Sequence, residues 1–451
     1  MKDKKRMLAL LLAASMAATA MAGCGGGDDS SSGEASSESE GTESGGTESA
    51  EAEGSEESSG NSGGGTVEFW NDKLANTEQA QLDSIIGSIQ EATGYTLEMV
   101  PYPDTASYQT AMQQTIRESE APGLFTWWSG SQLETLVENG LVADLTDLWN
   151  ETIFDAGVSQ GVADAFTFDG KIYAAPWSVL YNTVLYNKTV FDEYGLEEPQ
   201  TFDEFLDVCE TLKSNGVTPI ALKSDSWGGF IWFQQLLAAK DIELYNGICD
   251  GSIPYNDPQV LEVMQIWEDM LQKGYFSTPM DYGTDVKKSI AQGTVAMMLE
   301  PHVELTGMTR DYGMEEGKDI DSFVVPTMDG SKKTIFFEAA PLCVAESSAS
   351  KEDALNVLEG WFTEDVQNTF QTELGYTNTS KVKVETPTAQ EILDETADSE
   401  NYQLVLRYYE NTPDELRDFA LDELMKFQLM NSSAEDTLNA IQEKADEVFG
   451  Q

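Results

Sequence analysis

The residues of this 451-residue chain best able to do chemistry are its nine tryptophans, because their positions divide them into two groups. Trp267 shares a helical face with Val260, Met264 and Leu271, and Trp149 and Trp361 lie in apolar helical stretches, so these three read as packing. Trp70, Trp127, Trp128, Trp177, Trp227 and Trp232 instead fall at loops or at element ends. An indole covers a flat face of C–H groups, such as that of a pyranose, and gains roughly 25 cal/mol per Å² buried. Two or three such rings supply much of a micromolar affinity, about −8 kcal/mol. The rim hydroxyls of such a ligand need hydrogen bonds, and Asn71, Asp72, Ser129, Glu300 and Glu338 are placed to offer them. Each has a plainer reading: a tryptophan is more often packing than platform, and Asn71-Asp72 serve equally as turn and cap before a helix starting near Thr77. Tyr181 is either a further ring of the site or, by strand alternation, a core residue. His302, the only histidine, is a ligand contact or a helix cap.

Catalytic motifs are missing. There is no G-x-S-x-G, no G-x-G-x-x-G and no G-x-x-x-x-G-K-[ST], and one histidine cannot make a two-His metal site. No cofactor is expected and the chain does not read as an enzyme, although glycoside hydrolysis needs only two carboxylates and 80 acidic residues leave that open. The formal charge of −55 repels phosphate backbones, which excludes nucleic acid as a partner and favours a neutral solute over an anionic one. Of four cysteines, Cys209 and Cys343 sit in apolar patterns and read as core, and Cys249 is the one placed near solvent. A Cys209–Cys249 disulfide stays open, and no C-x-x-C occurs.

From Thr66 onward the pattern alternates strands and helices. Val67–Trp70, Tyr95–Val100 and Leu124–Trp127 read as strands, with helices over Thr77–Thr93, Ala106–Ser119 and Ser131–Glu138 between and after them. Such alternation predicts α/β lobes with mainly parallel sheets flanked by helices, and the length is too great for one core. Thr201 to Glu204 is a capping box opening a helix that ends at Asn215-Gly216. Pro258–Lys273 is an amphipathic helix closed by Gly274. Between these regions lie two β-prone runs, Lys171–Ala174 and Val179–Tyr186, joined through Ala175-Pro176-Trp177. Proline has no N–H and belongs at a strand edge or end, so the segment reads as a crossing between two lobes with Trp177 lining the cleft beside it.

The run Asp169–Phe191, DGKIYAAPWSVLYNTVLYNKTVF, resembles the hinge-crossing segment of the bacterial extracellular solute-binding proteins, family 1. These are the carbohydrate-binding components of ABC importers. Gln292–Met298 looks like the family's G-x-x-A-M strand, Ala354–Gln367 resembles a helix pair of the family, and the likeness covers nearly all of 66–451. At His302, after Glu300-Pro301, many relatives have G-x-W, so one stacking contact of the family is in doubt here. The resemblance implies a two-lobed periplasmic-binding-protein-like fold (type II), with lobes of 66–177 plus 331–375 and 178–330 plus 376–451. It also implies a sugar ligand, an oligosaccharide by the number of tryptophans, captured by hinge closure and handed to the transmembrane permease subunits. A sensory lipoprotein and a binder of peptides or other solutes on the same fold are the other readings.

The N-terminus fits export. Lys2, Lys4, Lys5 and Arg6 precede an apolar stretch too short for a typical membrane span, and Met21-Ala22-Gly23-Cys24 resembles a bacterial lipobox with methionine for the usual leucine. Residues 1–23 would be a lipoprotein signal peptide and Cys24 the lipidated residue. Residues 25–65 hold no side chain able to build a core and eleven acids without a base, so a flexible tether spanning on the order of 35 Å is expected. The whole reads as a monomer anchored by lipid to the outer face of a Gram-positive-type membrane.

Overall fold

A computed structural model describes residues 64–450, except 75–76, 103–104, 226 and 385 and the side chains of Ala106 and Trp227. The signal segment, Cys24 and the tether up to residue 63 lie outside the described residues. Among the described residues eleven strands form: β1 (Thr66–Asn71), β2 (Thr96–Pro101), β3 (Leu124–Thr126), β4 (Thr167–Phe168), β5 (Lys171–Ile172), β6 (Ala175–Asn187), β7 (Thr218–Ile220), β8 (Val295–Pro301), β9 (Ile320–Phe323), β10 (Lys333–Val344) and β11 (Tyr402–Leu406). Nine of them make one sheet in the order β2-β1-β3-β10-β6-β8-β7, with β11 on β10 and β9 on β6, while β4 and β5 pair as a small hairpin. Pairing is parallel toward the flanks (β1 with β2 and β3, β7 with β8) and antiparallel around β6.

The β6 strand carries the architecture. Ala175–Tyr181 pair with β10, and from Asn182 the strand pairs with β8 instead. Val179 and Tyr181 belong to a hydrophobic core with Val67, Ile85, Leu124 and Trp361; Val184 and Tyr186 belong to a second with Phe205, Trp267 and Leu424. A smaller cluster, including Leu185, Met298 and Leu305, covers the other face of the second half. The first core also takes in Ile392. Local signals place the surrounding helices. Leu82, Ile85 and Ile89 form the buried face of the helix Gln79–Thr93. The Thr201/Glu204 capping box opens Phe202–Ser214. Asn187 ends β6 and caps the next helix, its side chain accepting from the Val190 N–H and donating to the Ile290 carbonyl.

One expectation about the crossing holds and one is corrected. The first run closes as the short strand β5, and β6 then runs unbroken from Ala175 to Asn187, so Pro176 stands at a strand end as expected. Pro176 faces Pro341 at a register shift between Ala340 and Pro341, so neither strand strands an N–H there. Trp177 is the residue skipped in that pairing, and it lines no cleft. It is fully buried, with ring centroids 5.3 Å from Phe69, 5.2 Å from Phe370 and 5.8 Å from Trp361. It shares the sheet face of Val179 and Tyr181, two and four residues on, and so points into the first core. Trp232 is likewise packing: it is buried on a helix face, stacked 6.1 Å from Phe205 and edge-on to Phe276. Cys249 is buried rather than near solvent, Cys209 and Cys343 are buried too, and all three are unpaired, so no Cys209–Cys249 bridge exists. Burial pushes the Cys249 thiol up to about 12.

Side chains brace the open edge of β6. Asn378 accepts from the Val179 N–H at 2.9 Å and donates to the Trp177 carbonyl at 3.1 Å. His302 extends this bracing. Its own N–H donates to the Tyr181 carbonyl at 2.8 Å, its Nδ1 accepts from the Tyr181 N–H at 3.4 Å, and Nε2 meets Thr377 Oγ1 at 3.0 Å. With Nδ1 accepting, the proton sits on Nε2 and is donated to Thr377. Burial lowers the His302 pKa from 6.5 to about 4, the backbone bond to Tyr181 opposing it.

Two outcomes follow. Trp177→Ala leaves a large void between Phe69, Trp361 and Phe370 and should cost roughly 3–5 kcal/mol in urea unfolding; a cost under about 1 kcal/mol would show that the ring is not structural. His302 is held neutral, so its contribution is complete above pH 6.5 and is lost as pH falls to about 4, where the unfolded chain takes up a proton that the folded one does not. Over that window the wild type should lose roughly 3 kcal/mol more stability than His302→Gln; equal losses would place the imidazole in solvent.

Candidate functional site

In open α/β sheets the carboxyl ends of the strands face the ligand crevice. Here β1, β2 and β3 end side by side, and the four rings at their ends join Tyr108 of the helix Thr105–Thr115 in one connected group of five. Trp70 lies 5.5 Å from Tyr102, Tyr102 lies 5.3 Å from Tyr108, and Tyr108 lies 6.1 Å from both Trp127 and Trp128, which touch at 5.0 Å. The Tyr108 hydroxyl donates to the Thr126 carbonyl and so fixes the middle of the group. Trp127 is nearly buried, its Nε1 donating to the Gln132 carbonyl, whereas Trp70 and Trp128 keep part of their surface open. Lys73 Nζ sits 4.7 Å from the centre of the Trp128 ring, over its face. Sequence reasoning missed Tyr102, Tyr108 and Lys73, although Tyr102 directly follows a strand end just as Trp127 does.

The polar candidates divide by position. Asn71 is buried, and its Oδ1 accepts from the Leu74 N–H at 3.1 Å, which is the turn reading. Asp72 accepts from Thr105 at 3.1 Å and Thr126 at 3.4 Å and pairs with Lys73 at 3.4 Å, so it ties β1 to β3 beneath the rings. Ser129 is buried in the loop after β3. That loop rests on the second half: Ser131 donates to Asp414 at 2.8 Å, and Gly130, at φ +72°, lies so close to the Glu410 carbonyl that no Cβ fits. A groove of 630 Å³ runs beside this contact from Trp127 and Ser131 to Pro413 and Val448.

Glu338 belongs to a charged group that sequence reasoning did not assemble. Arg407 pairs with Glu338 at 2.8 Å and donates from Nε to Glu410 at 3.0 Å. Burial opposes the charge of Arg407, yet Glu338 and Glu410 outweigh it and raise the guanidinium pKa further. Glu300 stands apart, at the end of β8, paired at 2.8 Å with Lys223 beyond β7. Burial raises its pKa to about 7, with Lys223 opposing the shift. Tyr282 lies between Lys223 and Lys287, 5.0 and 4.8 Å from their ammonium groups.

The structure therefore gathers Trp70, Trp127, Trp128, Asp72 and Ser129 at one wall and connects them through Gly130 and Glu410 to Glu338. Glu300 lies on the second half. Tyr181 takes its core reading: it is buried, and that burial raises its pKa. His302 is spent on bracing β6, and Trp177 and Trp232 on the cores. The Trp227 side chain lies outside what is described, although its backbone opens the helix Trp227–Lys240. Chemically, the wall offers two partly open indole faces, one shared with an ammonium group, next to carboxylates already held by cations.

Among known proteins the chain is similar to the diacetylchitobiose binding protein DasA of Streptomyces coelicolor, 26% identical over 257 residues that cover 56% of this chain and 59% of that one. The first curated relatives are each matched over less than two thirds of their length, 36%, 59% and 42%. Among solved structures it resembles a chitin oligosaccharide binding protein (TM-score 0.70, 18% identity, 86% of this chain and 99% of the other). It also resembles one from work on xylan utilization by the thermophilic bacterium Caldanaerobius polysaccharolyticus (TM-score 0.68, 22% identity, 84% and 99%). At these identities the structural likeness establishes the fold, a two-lobed type II arrangement. Residues 84–394 match the family described as bacterial extracellular solute-binding protein, and the chain belongs to that family.

Proposed function

We propose that this protein captures a neutral sugar, in oligosaccharide form, between its two halves and delivers it to the permease of an ABC importer. The observation that carries this is the five-ring group formed by the ends of β1 to β3 and Tyr108 of the helix Thr105–Thr115, with Trp70 and Trp128 partly open beside Asp72 and Lys73. Indole faces suit the C–H faces of sugar rings, and hydroxyls suit carboxylate and ammonium partners. The net charge of −55 favours a ligand without negative charge. The name of the Streptomyces relative supports the same class of ligand.

The working step is hinge closure about β6 and β10. Ligand bridging both halves shifts the population toward the closed form only by its extra affinity for that form. The lobes divide close to 66–181 plus 331–406 and 182–330 plus 407–451, exchanging within β6; the expected boundaries after 177 and 375 move because Val179, Tyr181 and Ile392 lie in the first core. The chain acts as a binder and not an enzyme. It is held at the outer face of a Gram-positive-type membrane through lipidated Cys24 and the acidic tether, as a monomer. Among the described residues no helix is long and apolar enough to cross a membrane.

The test is calorimetric titration with chito-, xylo- and malto-oligosaccharides, with peptides as controls, and with product analysis. One sugar class should bind saturably and be recovered intact, and Trp128→Ala should weaken it about tenfold, or 1.4 kcal/mol. Binding of peptides but of no sugar, or cleavage of the sugar, would sink the proposal.

A further inference from the structure

Asn182 is buried to 2% exposure, yet among the described residues neither its Nδ2 nor its Oδ1 has a hydrogen-bond partner. A buried amide left unmade at both ends costs free energy, and native structures rarely keep one without a use. Its position is the point where β6 changes partners: Tyr181 is the last residue opposite β10, facing Phe337, and Asn182 is the first opposite β8, facing Pro301. Proline has no N–H to offer the strand at this place.

Register then fixes its neighbours. Side chains alternate between sheet faces, and directly opposed residues share a face, so Leu180, Asn182 and Glu338 stand in one row. Glu338 keeps 26% of its side chain exposed and pairs with Arg407, which pairs with Glu410, on whose carbonyl Gly130 rests. The row thus continues to the loop that carries Trp127 and Trp128. A second amide is half unpartnered: Gln234 Nε2 has no hydrogen-bond partner among the described residues, while its Oε1 accepts from the N–H of Tyr408, the residue after Arg407.

We propose that Asn182 is a specificity-determining ligand contact. Its Oδ1 accepts from one hydroxyl of the bound sugar and its Nδ2 donates to the adjacent one, so the site selects a unit with two neighbouring free hydroxyls. This rests on the sugar reading above and adds to it the residue at the hinge crossing that senses the ligand. A ligand lacking either hydroxyl leaves half of a buried amide unmet, which is how polar sites discriminate most strongly.

The full chain and its Asn182→Leu and Asn182→Val variants are titrated with diacetylchitobiose, xylotriose and maltotriose, and each unliganded protein is melted. The sugar that the wild type binds should be bound about tenfold more weakly by both variants. Their unliganded melting temperatures should be unchanged or raised, because an unpaired buried amide has been removed. A smaller loss of affinity, or a loss accompanied by lower melting temperatures in both variants, overturns the assignment and leaves the sugar reading standing. A wild type that binds none of the three overturns both.

Discussion

One continuous strand has to satisfy two hydrophobic cores, and the remaining architecture accommodates that constraint. Over its thirteen residues β6 hands over from β10 to β8, and its side chains pass from a core built around Phe69 and Trp361 to one built around Phe205 and Trp267. A strand shared in this way cannot slip by one residue, because the slip would turn every buried side chain of both cores to the wrong face. The paired prolines and the skipped Trp177 set the register at one end, and the Asn187 cap sets it at the other. His302 and Asn378 supply the hydrogen bonds that the open edge lacks. Between these fixed ends lies Tyr181–Asn182, where the strand changes partners from β10 to β8.

The site depends on the same strand. The ring group on the first half is rigid, since Tyr108 is anchored to the Thr126 carbonyl and Asp72 ties β1 to β3. The partner surface on the second half reaches it through backbone and charge, with Gly130 on Glu410 and Arg407 holding Glu410 to Glu338 of β10. Arg407 is thus the connection between the far rim and the crossing. Removing Arg407 would leave two carboxylates facing each other without a cation, so the guanidinium is the member of this group that tolerates least change.

What could be read from the sequence was local. The period of Leu82, Ile85 and Ile89, the Thr201/Glu204 box and the packing of Trp149, Trp267 and Trp361 all follow from spacing, and the structure contains them. What could not be read was decided by distant pairing. Pro176 reads as a strand end and is one, but its facing Pro341 is decided by distant pairing, and Trp177 reads as a cleft residue until Phe69, Trp361 and Phe370 are known to enclose it. Cys249 sits in a polar stretch but on the inner face of a helix. Arg407 is unremarkable in the sequence, because its two carboxylate partners come from β10 and from the next turn. Tyr102 was within reach, since it stands at a strand end beside an expected site.

The sealed thiols have a practical meaning. Cys209, Cys249 and Cys343 are unpaired, enclosed and held protonated by burial, which keeps the reactive thiolate scarce. The folded part therefore needs no oxidant to mature, and ambient oxidants or alkylating reagents find no ready nucleophile in it. A single cysteine introduced on either rim would be the preferred target of a maleimide dye, so distances across the two halves become measurable in a protein whose own cysteines are left in place.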